Sequence, residues 1–366
     1  MSDRLKLALL GCGDVAVRDY LPELHRLADR VELVAVSSRT ETRARAVAEQ
    51  FGAAHWYTDY RRMLAESGAD IVANLTPIQV HFETTLAALQ AGKHVYSEKP
   101  VADSARHALT LRDEAAKRGL TLVCAPSVLL YPQVRYVRSL LADDAIGPVY
   151  SARGQGHGGV PPWPGFPSDP SPFFAQGGGP AVDMGVYPLH ALTGLLGPVK
   201  RVMAMSARAQ PSFTIPDGPF EGKTVPVEVD DNWHLVLDFG NRRLASVEAS
   251  NCVQRTKAPE MELLGLQGSI AVNLLDVAAP VEVLRDGGSW EQIAVPYERK
   301  GGGPDHILGV QHLVDCVLTG RGPLLSAEHA AHVVSVTTAA QRSSWEGRAV
   351  EVDPTIWQGT EDPWGG

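Results

Sequence analysis

Several side chains in the sequence are of types that catalyse proton transfer, and their spacing groups them. Lys99 follows a short apolar run that is predicted to be a strand. Asp183, Tyr187 and His190 succeed one another at spacings of four and three residues, which places them on one face of a predicted helix. A tyrosine has a pKa of about 10 and is a poor base at neutral pH, but a nearby ammonium group lowers that pKa. Lys99 and Tyr187 together could therefore exchange a proton with a substrate hydroxyl.

A glycine-rich loop near the start of the sequence fits the phosphates of a dinucleotide. The predicted strand 5–10 runs into Gly11-Cys-Gly13-Asp-Val-Ala16, and a helical pattern follows. In such a loop the first glycine permits a tight turn and the second lets the backbone approach a pyrophosphate, while the alanine allows close helix packing. The helix start supplies N–H donors and a partial positive charge. The pattern predicts cofactor contacts from five residues: Gly11, Gly13, Asp14, Val15 and Ala16.

The end of the second predicted strand bears on the choice of dinucleotide. Enzymes that use NAD usually place an acidic residue there, which would repel the 2′-phosphate of NADP. This sequence has Ser37-Ser38-Arg39 instead, and serine and arginine can donate hydrogen bonds to a phosphate. The residues favour NADP. If Arg39 is only a solvated surface residue, NAD or dual specificity remains.

The first third of the sequence alternates strand and helix patterns, which is typical of an α/β fold with a parallel sheet. The predicted strands are 5–10, 32–37, 71–75, 94–96 and 120–125, and the predicted helices are 40–51, 80–91 and 104–117. Thr40 and Ser104 occupy N-cap positions, and Gly52, Gly92 and Gly119 follow the helices where C-terminal glycines belong. We predict a Rossmann dinucleotide-binding domain over residues 1–126.

The pattern changes after about residue 150. Alternating runs predict antiparallel strands at 232–239, 243–250, 261–266, 269–274 and 280–284, and two helices are predicted at 305–319 and 326–345. We predict an α+β substrate-binding and oligomerisation domain over residues 127–366, with an open, mainly antiparallel sheet. Helices should cover one face of that sheet, and pairing with another subunit in a homodimer or homotetramer should bury the other.

Composition excludes several classes of protein. The formal net charge of −9 argues against a nucleic-acid partner, and no apolar run approaches the roughly 20 residues of a membrane helix. The four cysteines are far apart and form no C-x-x-C pair, so neither a disulfide scaffold nor a zinc site is predicted. No other metal site is predicted. Reduced thiols are expected of a cytoplasmic protein.

An aromatic and proline-rich segment spans residues 157–174. The C–H faces of sugars stack on aromatic rings, so the segment is a candidate substrate lid, with His157 and Trp163 as substrate contacts. A hydrophobic loop cluster or a subunit contact explains the same composition equally well. His190 is a further candidate lining residue of the substrate pocket.

Taken in order, these segments resemble the glucose–fructose oxidoreductase/inositol dehydrogenase (Gfo/Idh/MocA) family, over nearly the whole chain. The matching pieces are the loop 11–16, Asn74-Leu-Thr-Pro77 with His81, Ala91-Gly-Lys-His-Val, Glu98-Lys99-Pro100, and the segment 177–190. The Glu-Lys-Pro motif followed by Gly-Gly-Gly-…-Asp-x-Gly-x-Tyr is specific. The resemblance implies further cofactor contacts at Thr76, Pro77, His81, Glu98 and Lys99.

The resemblance also implies hydride transfer between a nicotinamide and a sugar, cyclitol or related polyol or keto-sugar. Tyr187 would be the general acid/base, and Lys99 would donate to the reacting oxygen, or the two roles would be exchanged or shared. Asp183 would bind a neighbouring hydroxyl or orient Lys99. Members with an inositol-dehydrogenase pattern carry His at the position of Tyr187 and Asp at that of His190. Since this sequence departs at both, it is more similar to the branch with glucose–fructose oxidoreductase and dihydrodiol dehydrogenases.

Two other functions are compatible with the same fold. One is an NAD-dependent glycoside hydrolase, but such members resemble exported enzymes with a histidine at the position of Tyr187. The other is a non-catalytic ligand sensor. The presence of Lys99, Asp183 and Tyr187 together argues against a sensor, because binding alone does not need all three.

Overall fold

The computed structural model describes residues 4–161, 166–297 and 303–359. By its internal contacts the chain divides into two units. The first comprises Met1–Ser127 with Phe166–Ser168 and His306–Ala331, and the second comprises Val128–Gly165, Asp169–Asp305 and His332–Gly366.

The first unit is built on a six-stranded sheet in which all neighbouring strands are parallel. Its strands are β1 (Leu5–Leu10), β2 (Val31–Ser37), β3 (His55–Tyr57), β4 (Ile71–Asn74), β5 (His94–Ser97) and β6 (Leu122–Cys124), in the order β3-β2-β1-β4-β5-β6. The helices that connect its strands are α1 (Glu41–Phe51), α2 (Tyr60–Glu66), α3 (His81–Gln90) and α4 (Ala105–Arg118). The predicted parallel α/β fold is confirmed. The three-residue edge strand β3 was not predicted, because it is short and largely exposed.

Helix ends in this unit follow the residues expected to set them. Ser104 accepts a hydrogen bond from the backbone N–H of His107 and so caps α4. Gly52 and Gly119 end α1 and α4 in the left-handed conformation. Thr40 is the N-cap residue of α1, as predicted, with an extended backbone, although its hydroxyl makes no capping hydrogen bond.

The helix that follows the glycine loop is irregular. A π-helical turn covers Ala16–Tyr20, in which the N–H of Leu21 donates to the carbonyl of Ala16, and a 3-10 helix covers Leu21–Leu27. Pro22 has no N–H to donate to the carbonyl of Arg18, so the regular α-helical ladder cannot continue here. Single π turns inside helices often occur at functional sites.

The second unit is built on a nine-stranded mixed sheet of order β16-β15-β14-β13-β7-β12-β11-β8-β17, with a separate pair β9–β10. The strands are β7 (Val149–His157), β8 (Arg201–Ala207), β9 (Ser212–Thr214), β10 (Thr224–Pro226), β11 (Asn232–Gly240), β12 (Arg243–Ser250), β13 (Met261–Gly265), β14 (Gly268–Val272), β15 (Val281–Arg285), β16 (Glu291–Ile293) and β17 (Val350–Glu351). Among its neighbours only β7 and β12 run parallel. The predicted, mainly antiparallel open sheet is therefore confirmed.

The remaining helices are short or late in the chain. They are α5 (Pro132–Ala142), α6 (Ser171–Phe174), α7 (Pro180–Asp183), α8 (Val186–Leu196), α9 (Ile307–Thr319) and α10 (Ala327–Glu346). Helix α8 packs against β7, and α9 packs against β5 and β6 within the first unit. In the described parts of the chain, no helix is long and apolar enough to cross a bilayer.

Buried and exposed side chains alternate along two neighbouring strands of the second unit's sheet. On β8 and β11 the side chains of Val202, Ala204 and Leu235 are buried, whereas Met205 and Val236 are 75% and 50% exposed. One face of these strands therefore belongs to the core and the other reaches the surface. The β11–β12 hairpin turns through Asn241 and Arg242 at φ of 50° and 64°, the conformation of a type I′ turn.

Gly309 on α9 is needed for close contact with the parallel sheet. A Cβ at this position would lie 2.7 Å from both Ser127 Oγ and Tyr96 Cζ. We expect Gly309→Ala to lower the free energy of unfolding by about 1–3 kcal/mol through overpacking, measured by urea denaturation. Gly322→Ala is the matched control, because its Cβ would meet nothing within 4 Å. Equal stability of the two variants would contradict this account of α9 packing.

Candidate active site

Four loops of the first unit lie at the carboxyl edge of its sheet. Strand β1 pairs in parallel with β2 on one side and β4 on the other, and β4 pairs with β5. The loops that follow these strands carry Gly11–Ala16, Ser38 and Arg39, Thr76 and Pro77, and Glu98 and Lys99, in that order. This is the point where strand order reverses, which in open α/β sheets is where ligands bind.

The two glycines of the first loop serve different purposes. Gly11 has a φ of +93°, and a Cβ there would lie against the Leu75 carbonyl, 2.7 Å from its carbon. Its N–H donates to the carbonyl of Ser37 at 2.9 Å, so the loop is tied to β2. Gly13 is exposed, and a Cβ there would meet nothing within 4 Å. The backbone at Gly13 is thus open to a ligand, whereas Gly11 is required by the fold.

The side chains that follow Gly13 pack around the start of the helix. Ala16 is buried, as its predicted packing role requires, and the Asp14 carboxylate pairs with Arg18. Burial raises the pKa of Asp14, against the opposing effect of Arg18. Cys12 is also buried and its thiol lies 3.5 Å from the carbonyl of Ser37. Burial raises the pKa of Cys12 to about 11, so the thiol is neutral and acts as a small filler.

An arginine near the end of β2, which the sequence patterns did not identify, lies on α1. Ser37 is buried, Ser38 is half-buried and Arg39 is exposed. Arg43, one helical turn after Arg39 on α1, donates through Nε to the carbonyl of Cys12 at 2.8 Å. Its guanidinium therefore lies at the glycine loop. The spacing of four residues on a predicted helix was the signal that could have identified it.

Asn74 and His81 organise the loop after β4. Asn74 Oδ1 accepts from the Thr76 hydroxyl at 2.7 Å, and its amide donates to the hydroxyls of Thr84 and Thr85, both at 2.8 Å. The His81 ring is buried between two backbone carbonyls, with Nδ1 2.7 Å from Pro100 O and Nε2 2.7 Å from Thr76 O. Both ring nitrogens thus face loop carbonyls.

Burial lowers the pKa of His81, although the two carbonyl contacts oppose that shift. The ring lies between the loop that carries Thr76 and the loop that carries Lys99. This position makes His81 a link between the two loops at the carboxyl edge.

Glu98 is buried directly beside Lys99. One carboxylate oxygen accepts from the Tyr20 hydroxyl, and the other accepts from the backbone N–H of Lys99 at 2.9 Å. Burial alone would raise the pKa of Glu98, but His306, Lys99 and these hydrogen bonds lower it below its usual value. Glu98 is therefore an anion that anchors the loop. Lys99 is half-buried and precedes a cis peptide bond to Pro100.

The second unit carries Asp183, Tyr187 and His190. The predicted single helix is divided, because Asp183 ends α7 whereas Tyr187 and His190 lie on α8. Pro188 has no N–H to donate to the Met184 carbonyl, which instead accepts from the N–H of Tyr187 at 3.2 Å. Tyr187 is 5% exposed and Asp183 is half-buried. Burial, together with the nearby His332 ring, lowers the pKa of His190 to about 3, so this imidazole is neutral at neutral pH.

Of the remaining predicted substrate residues, His157 ends β7, and Trp163 lies outside the described residues. The side chain of His157 is 7% exposed, and its Nε2 is 3.8 Å from Glu248 Oε2. Burial lowers the pKa of His157, although Glu248 opposes the shift. A Cβ on Gly156 would lie 2.5 Å from the Met184 carbonyl, so the end of β7 runs directly along the link between α7 and α8. Strand β7 was not predicted, since its glycines weaken the strand pattern.

Comparisons with known proteins agree with this architecture. Residues 5–125 match a model described as "Oxidoreductase family, NAD-binding Rossmann fold", and residues 134–271 match the "GFO/IDH/MocA C-terminal domain". The chain is 34% identical over 257 residues to a D-glucoside 3-dehydrogenase of Escherichia coli (strain K12), covering 68% of this chain and 71% of that protein. It is 26% identical over 356 residues to a D-xylose 1-dehydrogenase (NADP(+)) of Haloferax volcanii, covering 95% and 100% of the two chains.

A solved structure of a levoglucosan dehydrogenase in complex with NADH has the same fold. Its TM-score is 0.83 at 20% sequence identity, and the match covers 96% of this chain and 100% of that one. The two domain models and the D-glucoside dehydrogenase together establish the family, and with it the nicotinamide cofactor, NAD or NADP. The chain belongs to the GFO/IDH/MocA family of oxidoreductases.

Proposed function

We propose that the protein transfers a hydride between NADP and a secondary alcohol or ketone of a sugar, cyclitol or related polyol. The observation that carries the proposal is the shared carboxyl edge of the first unit's sheet. There the open backbone of Gly13 follows β1 and the anchored Lys99 follows β5, two parallel strands with only β4 between them. The nicotinamide, when bound, supplies the hydride acceptor or donor. Relatives named for D-glucoside and D-xylose support a carbohydrate substrate.

Residue roles follow from the chemistry of the side chains. We assign Tyr187 as the group that takes the proton from the substrate hydroxyl and Lys99 as the donor to that oxygen, with the reverse or shared arrangement as the alternative. Asp183 would bind a neighbouring hydroxyl. His157 and His190 would line the substrate pocket as neutral imidazoles, because burial lowers the pKa of each. Residues 1–126 would hold the dinucleotide and residues 127–366 the substrate.

The preference for NADP is supported by the basic residues at the end of β2. Arg39 is exposed there, and the Arg43 guanidinium contacts the glycine loop. No acidic side chain stands at Ser37 or Ser38 to repel a 2′-phosphate. Arginine binds phosphate through several N–H groups in a fixed plane, of which the loop carbonyl uses one.

The outer face of the nine-stranded sheet supports a homodimer or homotetramer. Met203, Met205, Val236 and Leu244 are exposed on three neighbouring strands, and Val236 pairs directly with Met203. A contiguous exposed apolar patch is typical of a surface that is covered by another chain. We propose that a second copy of this chain covers it.

We also propose that the protein works in the cytoplasm. All four cysteines lie within the described part of the chain, and none forms a disulfide there. Unpaired thiols persist in reducing compartments.

The function is tested by titrating the purified protein with NADPH and NADH and then following nicotinamide absorbance with a panel of sugars, cyclitols and keto-sugars. Net reduction or oxidation of the nicotinamide with a polyol or keto-sugar is the expected result. Hydrolysis of a glycoside without net absorbance change would identify a redox-cycling hydrolase instead. Binding of nucleotide and sugar without any turnover would identify a sensor.

Lys99→Met and Tyr187→Phe should each lower turnover by about 10²- to 10⁴-fold, because each removes a group that takes part in proton transfer. Dissociation constants for NADPH should change little. The measurement is steady-state kinetics on the substrate found above, with cofactor binding by fluorescence. Lys93→Met and Tyr150→Phe are the controls, since they change the same residue types at positions outside the proposed site. Turnover that survives both Lys99→Met and Tyr187→Phe would refute the assignment.

Arg43→Gln should weaken NADPH binding by about 10- to 100-fold and leave NADH binding nearly unchanged, because it removes a charge-assisted hydrogen bond to the 2′-phosphate. The ratio of the two dissociation constants is the quantity to measure. Arg45→Gln on the same helix is the control, since Arg45 is ion-paired with Glu49 on the exposed side. A parallel loss of NADPH and NADH affinity would mean that Arg43 acts on the shape of the glycine loop and not on cofactor choice.

A further inference from the structure

A buried chain of hydroxyl groups leads to the Lys99 loop in the first unit. Tyr20 and Tyr96 are almost completely buried, and their hydroxyl oxygens are 2.8 Å apart. The Tyr20 hydroxyl also donates to Glu98 Oε1, while Glu98 Oε2 accepts from the backbone N–H of Lys99. The chain thus runs from Tyr96 through Tyr20 and Glu98 to the backbone of Lys99.

The number of protons available fixes the direction of each hydrogen bond. An ionised carboxylate can only accept, so the single hydroxyl proton of Tyr20 must be donated to Glu98. The Tyr20 oxygen can then only accept from Tyr96, whose own proton is used in that bond. Every donor therefore points towards Glu98, and removal of the Tyr20 hydroxyl leaves both Glu98 Oε1 and the Tyr96 hydroxyl without this partner.

Stability alone does not explain a buried carboxylate at this position. In many proteins the free energy lost when a charged group is desolvated exceeds the free energy gained from its charged and hydrogen-bonding partners. Replacing such a group by well-packed apolar side chains often leaves the protein equally stable. The neighbours of Glu98 favour its charged form, and the nearby His306 helps to lower its pKa. His306 lies just before α9, with its ring centroid 5.7 Å from that of Tyr20. The His306 imidazole in turn lies 4.0 Å from Asp19. One oxygen of this carboxylate accepts from the backbone N–H of Lys99 at 2.9 Å.

The irregular helix explains how Tyr20 reaches Glu98. Tyr20 is the last residue of the π-helical turn that follows the glycine loop. One additional residue in a helical turn rotates the following side chains by about 100° relative to a regular α-helix. The π turn therefore sets the direction in which the Tyr20 side chain leaves the helix.

We propose that Tyr20 is a positioning residue for the reaction, which acts through Glu98 to hold the Lys99 backbone in its working position. The inference rests on the proposed function, in which Lys99 donates to the reacting oxygen. The hydrogen bonds from Tyr20 to Glu98 and from the Lys99 backbone to Glu98 would connect the helix after the glycine loop to the residue that contacts the substrate. Tyr20 itself does not touch substrate.

The test compares Tyr20→Phe with Tyr96→Phe. Each variant loses one buried hydroxyl and keeps its ring, but only Tyr20→Phe removes a hydrogen bond from Glu98. Tyr20→Phe should lower kcat by about 10- to 100-fold, the cost of a displaced catalytic group, with KM and the dissociation constant of NADPH little changed. Tyr96→Phe should lower kcat much less than Tyr20→Phe, because it leaves the hydrogen bond from Tyr20 to Glu98 in place. Equal kcat values for the two variants would overturn the proposal.

A second measurement does not depend on turnover. Hydrogen exchange of the Lys99 amide, followed by mass spectrometry on peptides that cover it, should be faster in Tyr20→Phe than in Tyr96→Phe or the wild type. Unchanged exchange in Tyr20→Phe would overturn the proposal even if kcat falls. If the wild-type protein oxidises or reduces no sugar, the proposed function fails, yet the exchange comparison still decides whether Tyr20 holds the Lys99 backbone.

Glu98→Gln separates a positioning role from a general loss of stability. The glutamine keeps the size of the side chain but cannot accept from both Tyr20 and Lys99 through equivalent oxygens. If Tyr20 and Glu98 act through the same hydrogen bond, the double variant Tyr20→Phe/Glu98→Gln should lose no more kcat than the more impaired of the two single variants. Effects of residues within one hydrogen-bond network do not add. Additive losses would show two independent effects and refute the link.

Discussion

The position of β1 between β2 and β4 is the constraint on which the candidate site depends. Because all three strands are parallel, the loops that leave them emerge at one edge, on either side of the glycine loop. The close approach of Gly11 to the Leu75 carbonyl follows from this packing, as does the hydrogen bond from Gly11 to Ser37. No residue with a side chain fits at Gly11, while Gly13 is left open on the surface. Fold and ligand access thus impose different requirements on two glycines that are two residues apart.

Behind this edge, polar side chains are buried in a way that fixes loops to one another. Asn74 holds Thr76, His81 lies between the carbonyls of Thr76 and Pro100, and Glu98 holds the backbone of Lys99. Each of these groups would be costly to bury alone, and each is compensated by hydrogen bonds. The His81 ring thus ties the loop after β4 to the loop after β5 and restrains their relative motion. Such rigidity suits an oxidoreductase, because hydride transfer requires reacting groups held in a narrow range of positions.

In the second unit, alternating burial along strands, close backbone approach at glycines and a proline in a helix determine where the candidate site residues lie. Alternation along β8 and β11 buries one face and leaves methionine and valine on the other. Glycines in β7 let its end pass close to the Met184 carbonyl, and Pro188 interrupts the helical ladder there. Tyr187 and His190 consequently start a new helix and are buried in its first turns. Asp183 and Tyr187 are four residues apart in the sequence but lie on separate helices, α7 and α8.

Much of this architecture was contained in local sequence patterns. The apolar runs of β1, β2, β4, β5 and β6, the glycine loop and the β11–β12 hairpin are set by local burial and turn chemistry, so the sequence predicted them. Strands β3, β7 and β8 are among those that escaped prediction; β3 is short and largely exposed, and β7 is rich in glycine. The contacts of Arg43 with Cys12, of His81 with Pro100 and of Tyr20 with Glu98 join residues 31, 19 and 78 positions apart. Local patterns do not show which residues meet over such separations. The sequence by itself determined which residues are able to do chemistry and, for most of them, the strand, helix or loop on which each one lies. Only the tertiary structure decided which of them contact one another, because the order of the strands in the sheet arises from packing over the whole unit.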